Sequence, residues 1–217
     1  MSIINKPDPQ PEYLTRLLSY CHTRKYPTKS DIIRPGDPAD VLSFILEGSV
    51  SVLMEEQDGR ELVLTYLNKG DYVGEMGIFL PSANRSALIR TRSACLIAEI
   101  SYVKLQHLLS TDLKEHAIDI LNSMGRQLAK RLVETSRKVS HLAFYDVAGR
   151  IARTLLDLCR EPDAMTHPEG MQISITRQEI GRIVGCSREM VGRILKKLEV
   201  DGLIRVKGKT IVVYGAR

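Results

Sequence analysis

One segment near the C-terminus constrains the fold more than any other part of the chain. Residues 176–197 carry the start, turn and restart signals of two consecutive helices. Thr176 and Glu179 form a capping box, in which the hydroxyl caps the helix start and the glutamate reaches back. Gly185 stands where the turn requires a left-handed residue, and Ser187 is a good N-cap for the second helix. The segment therefore predicts a helix-turn-helix.

The side chains between these signals fit the same motif. Gly181 is small where the two helices must cross closely. The positions that need apolar side chains in the motif core are filled by Ile180, Val184, Cys186, Val191 and Ile194.

The outward positions of the second predicted helix carry polar groups suited to base edges. Its N-terminal residues Arg188, Glu189 and Arg193 would face the major groove. Arginine bonds bidentately to guanine, and glutamate accepts from the cytosine amino group. The alternative interpretation is that the three are solvated surface charges. The expected phosphate contacts, which position the protein without specifying a sequence, are Thr176, Arg177, Gln178 and Lys196.

Charge and composition agree with a polyanion partner at this end of the chain. Residues 146–217 carry 13 Lys/Arg against 9 Asp/Glu, whereas the preceding residues carry 18 against 17. This excess is weak evidence alone, since many domains without nucleic acid partners share it.

A 43% hydrophobic content is enough for packed cores. No apolar run approaches a membrane span, and the first ten residues have no apolar segment typical of a signal peptide, so we expect a cytoplasmic protein without a membrane partner.

The residues from about 32 to 102 predict an antiparallel barrel or roll. Short strand-like runs alternate with the turn signals Glu47-Gly48, Asp58-Gly59 and Lys69-Gly70-Asp71. A helix is expected before them, near 11–21.

A long proline-free stretch, about 113–142, predicts a single helix. Its seam positions alternate by four and three residues over about three heptads: Leu121, Gly125, Leu128, Leu132, Thr135, Val139 and Leu142. The alternative is an amphipathic helix packed on its own domain. The heptad period, with Arg126, Lys130, Arg131 and Arg137 off the seam, favours a partner helix and therefore a homodimer.

The segment that follows predicts a compact C-terminal domain. We expect a helix over about 147–159, a polar loop over 161–170, the two helices of the motif, and a final hairpin whose turn is Gly208-Lys209.

A glycine-rich segment within the strand region has the groups that a ribose phosphate would use. Gly74 and Gly77 allow close backbone approach, and free amides cradle anions. Arg85 can pair with a phosphate, and Ser86 adds a hydroxyl. Glu75 is an acceptor only, so a sugar hydroxyl is its natural partner. The alternative is an ordinary turn in which Arg85 and Glu75 pair with each other, and the residue types alone leave both interpretations open. We call residues 74–79 with Arg85 and Ser86 the cassette.

The sequence gives no support for enzyme or metal chemistry. Four cysteines share no C-x-x-C spacing, and the five histidines have no metal-ligand spacing. No nucleophile–base pair is evident, and Gly202 to Gly208 fails the Walker spacing. We therefore expect no catalytic residues, no metal and no enzyme activity.

Taken together, the cassette, the seam helix and residues 173–217 resemble the cyclic AMP receptor proteins of the CRP/FNR family over nearly the whole chain. The resemblance implies that Gly74 and Glu75 hold the ribose of cyclic AMP, and that Arg85 and Ser86 hold its phosphate. Thr135 would read the adenine amino group within its own protomer and Ser136 across the dimer. Arg188, Glu189 and Arg193 would read TGTGA-like half-sites of a palindrome.

The resemblance also implies two surfaces for RNA polymerase. The loop from 164 to 172 would contact the C-terminal domain of the polymerase α chain, through Ala164, Met165, Thr166, His167, Pro168, Glu169 and Gly170. A second activating patch would comprise His22, Arg24 and Lys104, although Arg24 replaces a histidine of the family's best-known member. The resemblance therefore implies an allosteric, DNA-binding transcription activator. Rival interpretations are a relative that answers another ligand, such as cyclic di-GMP, or none, and a non-DNA interaction module.

The expected architecture is α+β in three parts. Residues 1–112 would form a jelly-roll-like antiparallel β-roll that binds the cyclic nucleotide, residues 113–145 the dimerisation helix and hinge, and residues 146–217 a winged helix-turn-helix.

Overall fold

The computed structural model describes residues 10–56, 61–80 and 84–216. The chain separates into two compact units. The first comprises the chain up to Leu53 together with Thr65–Val133, and the second comprises Met54–Leu64 together with Glu134 to the C-terminus. The three-part division expected from the sequence stays a prediction.

Among the described residues, the strand region contains β1 (His22–Tyr26), β2 (Asp31–Ile33), β3 (Val41–Glu47), β4 (Ser49–Glu55), β5 (Glu61–Asn68), β6 (Tyr72–Val73), β7 (Leu88–Thr91) and β8 (Cys95–Ser101). These strands form two four-stranded antiparallel sheets, in the orders β1-β8-β3-β6 and β2-β7-β4-β5, as expected for a roll. The helices here are α1 (Glu12–Ser19), α2 (Met76–Phe79) and α3 (Tyr102–Ser110).

Strand β3 lies at the centre of the first unit because both of its faces are buried. Leu42 and Phe44 pack into one apolar cluster with residues of α1 and α3. Ile45 packs into a second cluster with Val50 and Ile97. The turn that follows requires glycine: Gly48 has a φ of +87°, and a Cβ there would lie 2.3 Å from the Ala94 carbonyl oxygen.

The long helix α4 runs from Ala117 to Phe144, after a short 3₁₀ turn over Lys114–His116. Ile120 and Met124 are fully buried in the first of the two clusters. The predicted seam faces elsewhere, and Leu132, Val139 and Leu142 are 69%, 60% and 57% exposed. Helix α4 therefore has two apolar faces: one is buried in its own unit, and the other, which carries the seam residues, is exposed to solvent in a single chain.

The C-terminal part of the second unit contains three helices and one sheet. Strand order in this sheet is β11-β12-β10-β9, all antiparallel. Its elements are α5 (Val147–Leu158), β9 (Met165–His167), β10 (Gly170–Ser174), α6 (Arg177–Val184), α7 (Arg188–Val200), β11 (Ile204–Lys207) and β12 (Thr210–Tyr214). Its apolar residues include the fully buried Ile151, Leu155, Ile180, Val191 and Ile211.

Most of the expected elements are confirmed, including the α+β class, the antiparallel roll, the long helix and the two-helix motif with a final hairpin. One expectation is wrong: the segment 161–170 is not only loop. Residues 165–167 form β9, which pairs with β10 so that Gly170 lies opposite His167. The expected Asp58-Gly59 turn lies outside the described residues.

Within the described ranges, no helix combines the length and apolar character needed to cross a lipid bilayer.

Candidate ligand site and nucleic-acid interface

The cassette begins directly after the short edge strand β6. Gly74 has a φ of +86°, and a Cβ there would lie 2.5 Å from Nη1 of Arg85 and 2.9 Å from the Val41 carbonyl oxygen. Only glycine satisfies both the left-handed conformation and this close approach. The position of Gly74 therefore depends on the same arginine that was expected to bind phosphate.

Arg85 and Glu75 do not pair with each other. The Arg85 guanidinium donates to the hydroxyl of Tyr102 (3.0 Å) and to the Val41 carbonyl oxygen (2.5 Å). Glu75 is instead paired with Arg131 of α4. The ordinary turn with an internal Arg85–Glu75 pair, which the residue types left open, is therefore wrong.

Tyr102 connects the parts of the cassette. Its hydroxyl donates to the Gly74 carbonyl oxygen (2.5 Å) and accepts from Arg85. A Cβ on Gly77 would lie 2.6 Å from that hydroxyl, so the second glycine provides the space for the ring. One buried tyrosine thus holds both glycines and the arginine in place.

Glu75 is the most buried ionisable group of the cassette, at 1% exposure. Burial raises the pKa of its carboxyl, and the nearby Arg131 guanidinium opposes that rise. One carboxylate oxygen bonds to Arg131, whereas no donor among the described residues reaches the other, Oε2. A buried acceptor without a partner costs free energy, so this oxygen is suited to a hydroxyl donor from a ligand.

The remaining residues of the expected ligand set lie in less enclosed positions. Ser86 is exposed beside Arg85. Thr135 and Ser136 are exposed on α4, in the part of that helix that belongs to the second unit.

The helix-turn-helix has the local geometry that its sequence predicts. Oγ1 of Thr176 accepts from the Glu179 amide (3.1 Å), and Oγ of Ser187 accepts from the Met190 amide (3.2 Å). Gly185 ends α6 in the left-handed conformation, at φ 73° and ψ 47°. Helices α6 and α7 therefore begin at the expected caps, and α6 ends at the expected glycine. The part of the capping box in which Glu179 reaches back stays a prediction.

The three expected base-reading residues are exposed in the first two turns of α7: Arg188, Glu189 and Arg193. Hydrogen bonds from its own amide and from the Ser187 hydroxyl, with the two arginines, lower the pKa of Glu189. At neutral pH it is therefore an ionised acceptor, which is the state that a cytosine amino group requires.

The expected phosphate contacts differ in their freedom. Arg177, Gln178 and Lys196 are exposed, whereas the Thr176 hydroxyl is used in capping α6. The Arg177 guanidinium lies against α7 where it has no side chain: a Cβ on Gly192 would lie 3.6 Å from Nη1.

The residues expected to contact RNA polymerase are exposed or partly exposed. His22 and Arg24 are exposed on β1, which is an edge strand. Lys104 donates to the Tyr20 carbonyl oxygen (2.7 Å). The other surface, 164–172, includes β9 and the turn before β10, where the Glu169 amide donates to Nδ1 of His167 (3.2 Å).

Comparison with known proteins agrees with both halves of this description. Residues 23–112 match the cyclic nucleotide-binding domain family, and residues 149–214 match the Crp-like helix-turn-helix domain family. The CRP-like protein Clp of Xanthomonas euvesicatoria is 54% identical over 204 residues, which cover 94% of this chain and 89% of that protein. The chain belongs to the CRP/FNR family of DNA-binding transcription regulators.

Solved structures of the family share the fold. A structure described as the c-di-GMP responsive global regulator CLP of Xanthomonas campestris has a TM-score of 0.90 and 54% identity, covering 94% of this chain and 98% of that one. A CRP/FNR-family transcriptional regulator from Thermus thermophilus has a TM-score of 0.73 at 22% identity, over 88% of this chain and 93% of that one, and shows the fold alone.

Sequence reasoning missed Tyr102 and Arg131 in the candidate site. It also missed Gln127, whose side-chain amide bonds to the backbone of Tyr72 just before the cassette. Arg131 was expected only as a charge beside the seam. Its partner Glu75 is 56 positions away, and Tyr102 lies 17 positions from Arg85. No local pattern marks such pairs, because they depend on how α3 and α4 pack against the roll.

Proposed function

We propose that this chain is a homodimeric transcription regulator that recognises palindromic, TGTGA-like DNA under the control of a cyclic nucleotide bound at the cassette. The observation that carries the proposal is Glu75, a buried carboxylate with one oxygen that no described residue satisfies, beside an arginine and two glycines. A ribose hydroxyl is the donor that this oxygen lacks, and Arg85 with Ser86 would hold a phosphate. Gly74 would let the ligand approach the backbone.

Cyclic di-GMP is the ligand that we favour. The structure of the 54% identical Xanthomonas protein is described as c-di-GMP responsive.

Cyclic AMP is the second candidate. It is supported by the complete cassette and by Thr135 and Ser136, which are exposed on α4 and offer hydroxyls to an adenine amino group.

The reading of DNA would follow from the position of α7. Arg188, Glu189 and Arg193 would contact base edges, while Arg177, Gln178 and Lys196 with Thr176 would contact phosphates. The exposed seam of α4 would pair two chains, so that the two reading helices meet half-sites about 34–36 Å apart.

Control by the nucleotide would be a population shift. The ligand would favour one packing of the paired α4 helices, and the segment from His141 to Asp146 would transmit it to the C-terminal domain. A change from 1:99 to 99:1 requires about 10⁴-fold tighter binding to the favoured state, and smaller ratios give graded control. We expect the nucleotide to be bound and not turned over.

Contacts with RNA polymerase would use the two surfaces expected from the sequence. His22, Arg24 and Lys104 form one, and Ala164 to Gln172 the other. Substitutions there are expected to lower transcription from a target promoter while leaving DNA affinity unchanged, as measured by transcription in vitro and fluorescence anisotropy.

The deciding experiment measures the affinity of the purified chain for a labelled TGTGA-type palindrome without nucleotide, with cyclic di-GMP and with cyclic AMP. We expect a change of affinity of at least about fivefold with one nucleotide. Arg85→Leu should remove that response while leaving the dimer intact. An affinity that both nucleotides leave unchanged, or a response that Arg85→Leu retains, would contradict nucleotide control through the cassette.

A further inference from the structure

We infer that Gln127 is a positioning residue of the ligand site, which keeps the cassette attached to α4 so that changes at Glu75 are passed to the helix. The inference rests on the proposed function, because it concerns how the same site controls DNA binding. All the residues involved belong to the first unit.

The side-chain amide of Gln127 stands where a neighbouring strand would be. Among the described residues, strand β6 is the last strand of its sheet and pairs with β3 alone. Oε1 of Gln127 accepts from the Tyr72 amide (2.7 Å), and Nε2 donates to the Tyr72 carbonyl oxygen (2.9 Å). These two bonds are of the kind that a paired strand would supply to an otherwise open edge.

Gln127 is the middle of three polar residues spaced four apart on α4, which therefore share one face of the helix. Oγ of Ser123 hydrogen-bonds to the Tyr72 hydroxyl (3.1 Å), and Arg131 donates to the Tyr72 carbonyl oxygen (2.6 Å). Tyr72 itself is buried and packs edge-on against Phe44, with ring centroids 5.0 Å apart. Sliding or rotation of α4 along β6 would break several of these bonds at once.

The contacts of Arg131 and Gln127 differ in what a ligand would do to them. Arg131 is bound to Oε1 of Glu75, so a ligand hydroxyl that donates to Oε2 binds the same carboxylate and alters the charge that Arg131 faces. The side chain of Gln127 bonds to the backbone of Tyr72, two residues before Gly74, and a ligand on Glu75 has no group to contest that pairing. Arg131 is therefore the contact that changes, and Gln127 is the contact that holds the helix in place while it does.

The test compares Gln127→Met, which keeps the length of the side chain without its hydrogen bonds, with the wild-type chain. Gln127→Glu is the second variant, because an ionised carboxylate accepts from the Tyr72 amide but cannot donate to its carbonyl oxygen. Asn122→Met is the matched control, since Asn122 is exposed on the same helix. For each, the coupling factor is the ratio of DNA dissociation constants without and with cyclic di-GMP or cyclic AMP, whichever acts on the wild type.

We expect Gln127→Met and Gln127→Glu to lower the coupling factor at least about fivefold or to bring it to one, whereas Asn122→Met keeps the wild-type value. Coupling in both Gln127 variants within twofold of wild type would overturn the inference and leave the proposed function standing. A wild-type chain whose DNA binding ignores both nucleotides would overturn the proposed function itself.

If the Gln127 variants do not fold, a measurement on the wild-type chain alone tests the inference. Hydrogen exchange of the Tyr72 amide should be slow with and without nucleotide, because the Gln127 pairing holds in both states. Fast exchange of that amide in either state overturns the inference.

Discussion

At the scale of single residues, Glu75 and Arg131 form a largely buried ion pair in the candidate ligand site. The carboxylate is buried and the guanidinium side chain is only 20% exposed. Removing one member of such a pair leaves the other charge in a poorly solvated place, and this loss exceeds what the pair itself contributes.

We expect Glu75→Gln to lower the free energy of unfolding by about 1–3 kcal/mol and to weaken nucleotide binding, because Arg131 loses its counter-charge and the ligand loses its acceptor. Urea unfolding measures the first effect and calorimetry the second. The double variant Glu75→Gln with Arg131→Met should recover part of the stability. Additive losses in that cycle would show that the two residues do not interact.

A second residue-scale prediction concerns sequence reading. Arg188→Ala should cost about 1–3 kcal/mol on duplexes that carry the matched guanine and little on duplexes that lack it. Anisotropy titrations with a set of operator variants measure this. Arg177→Ala is the control, since loss of a phosphate contact should weaken all duplexes alike and reduce the salt slope by about one. A uniform loss for Arg188→Ala would reassign it to the backbone.

The residue scale also marks the limit of prediction from sequence. Glu75, Arg85 and the glycines were recognised because they lie close together in the chain and combine chemistry that suits one ligand. Arg131 and Gln127 were not, because their partners are 55 or more positions away and their own surroundings look like an ordinary helix surface.

At the scale of elements, the helix-turn-helix depends on short-range signals. Thr176 and Ser187 each cap the helix that follows them, and Gly185 lies between. Such signals act within a few residues, which is why the sequence alone predicted both helices. Strand β9 was missed for the opposite reason: three residues form a strand only by pairing with β10.

The turn gives a prediction at this scale. Gly185→Ala should destabilise the fold by about 1–2 kcal/mol, because its φ of +73° is unfavourable for an L side chain while its Cβ would have no described neighbour closer than 4.0 Å. Gly192→Ala is the matched control. Gly192 lies inside α7, where alanine is more favourable than glycine, so this substitution should raise the free energy of unfolding by about 0.5–1 kcal/mol. Thermal unfolding of both variants measures this, and equal effects would show that backbone conformation does not determine the difference.

At the scale of the whole molecule, α4 has two faces with different tasks. Its buried face belongs to the core of the first unit through Ile120 and Met124, and its exposed face carries the heptad seam. The heptad spacing could be recognised in the sequence, whereas the continuation of the buried face through Gln127 and Arg131, which hold the cassette, could not.

We expect Leu132→Glu to prevent formation of the proposed dimer and to abolish operator binding, because charged side chains would face each other across the seam. Analytical ultracentrifugation and anisotropy measure the two effects. Val103→Glu is the control, since Val103 is 78% exposed and belongs to α3, whereas the seam belongs to α4. A Leu132→Glu chain that remains dimeric would place the dimer interface elsewhere.

The four-residue spacing of Ser123, Gln127 and Arg131 has a consequence for how α4 tolerates changes of length. One extra residue between Gln127 and Arg131 would rotate the part of α4 after the insertion by about 100° relative to the part before it. The side chains of Gln127 and Arg131, which hold the cassette, would then lie on different sides of the helix. Seven extra residues placed after Arg131 would nearly restore the facing while lengthening the rod by about 10 Å. Insertions and deletions in α4 should therefore be multiples of seven residues and should lie after Arg131, toward the C-terminal end of the helix.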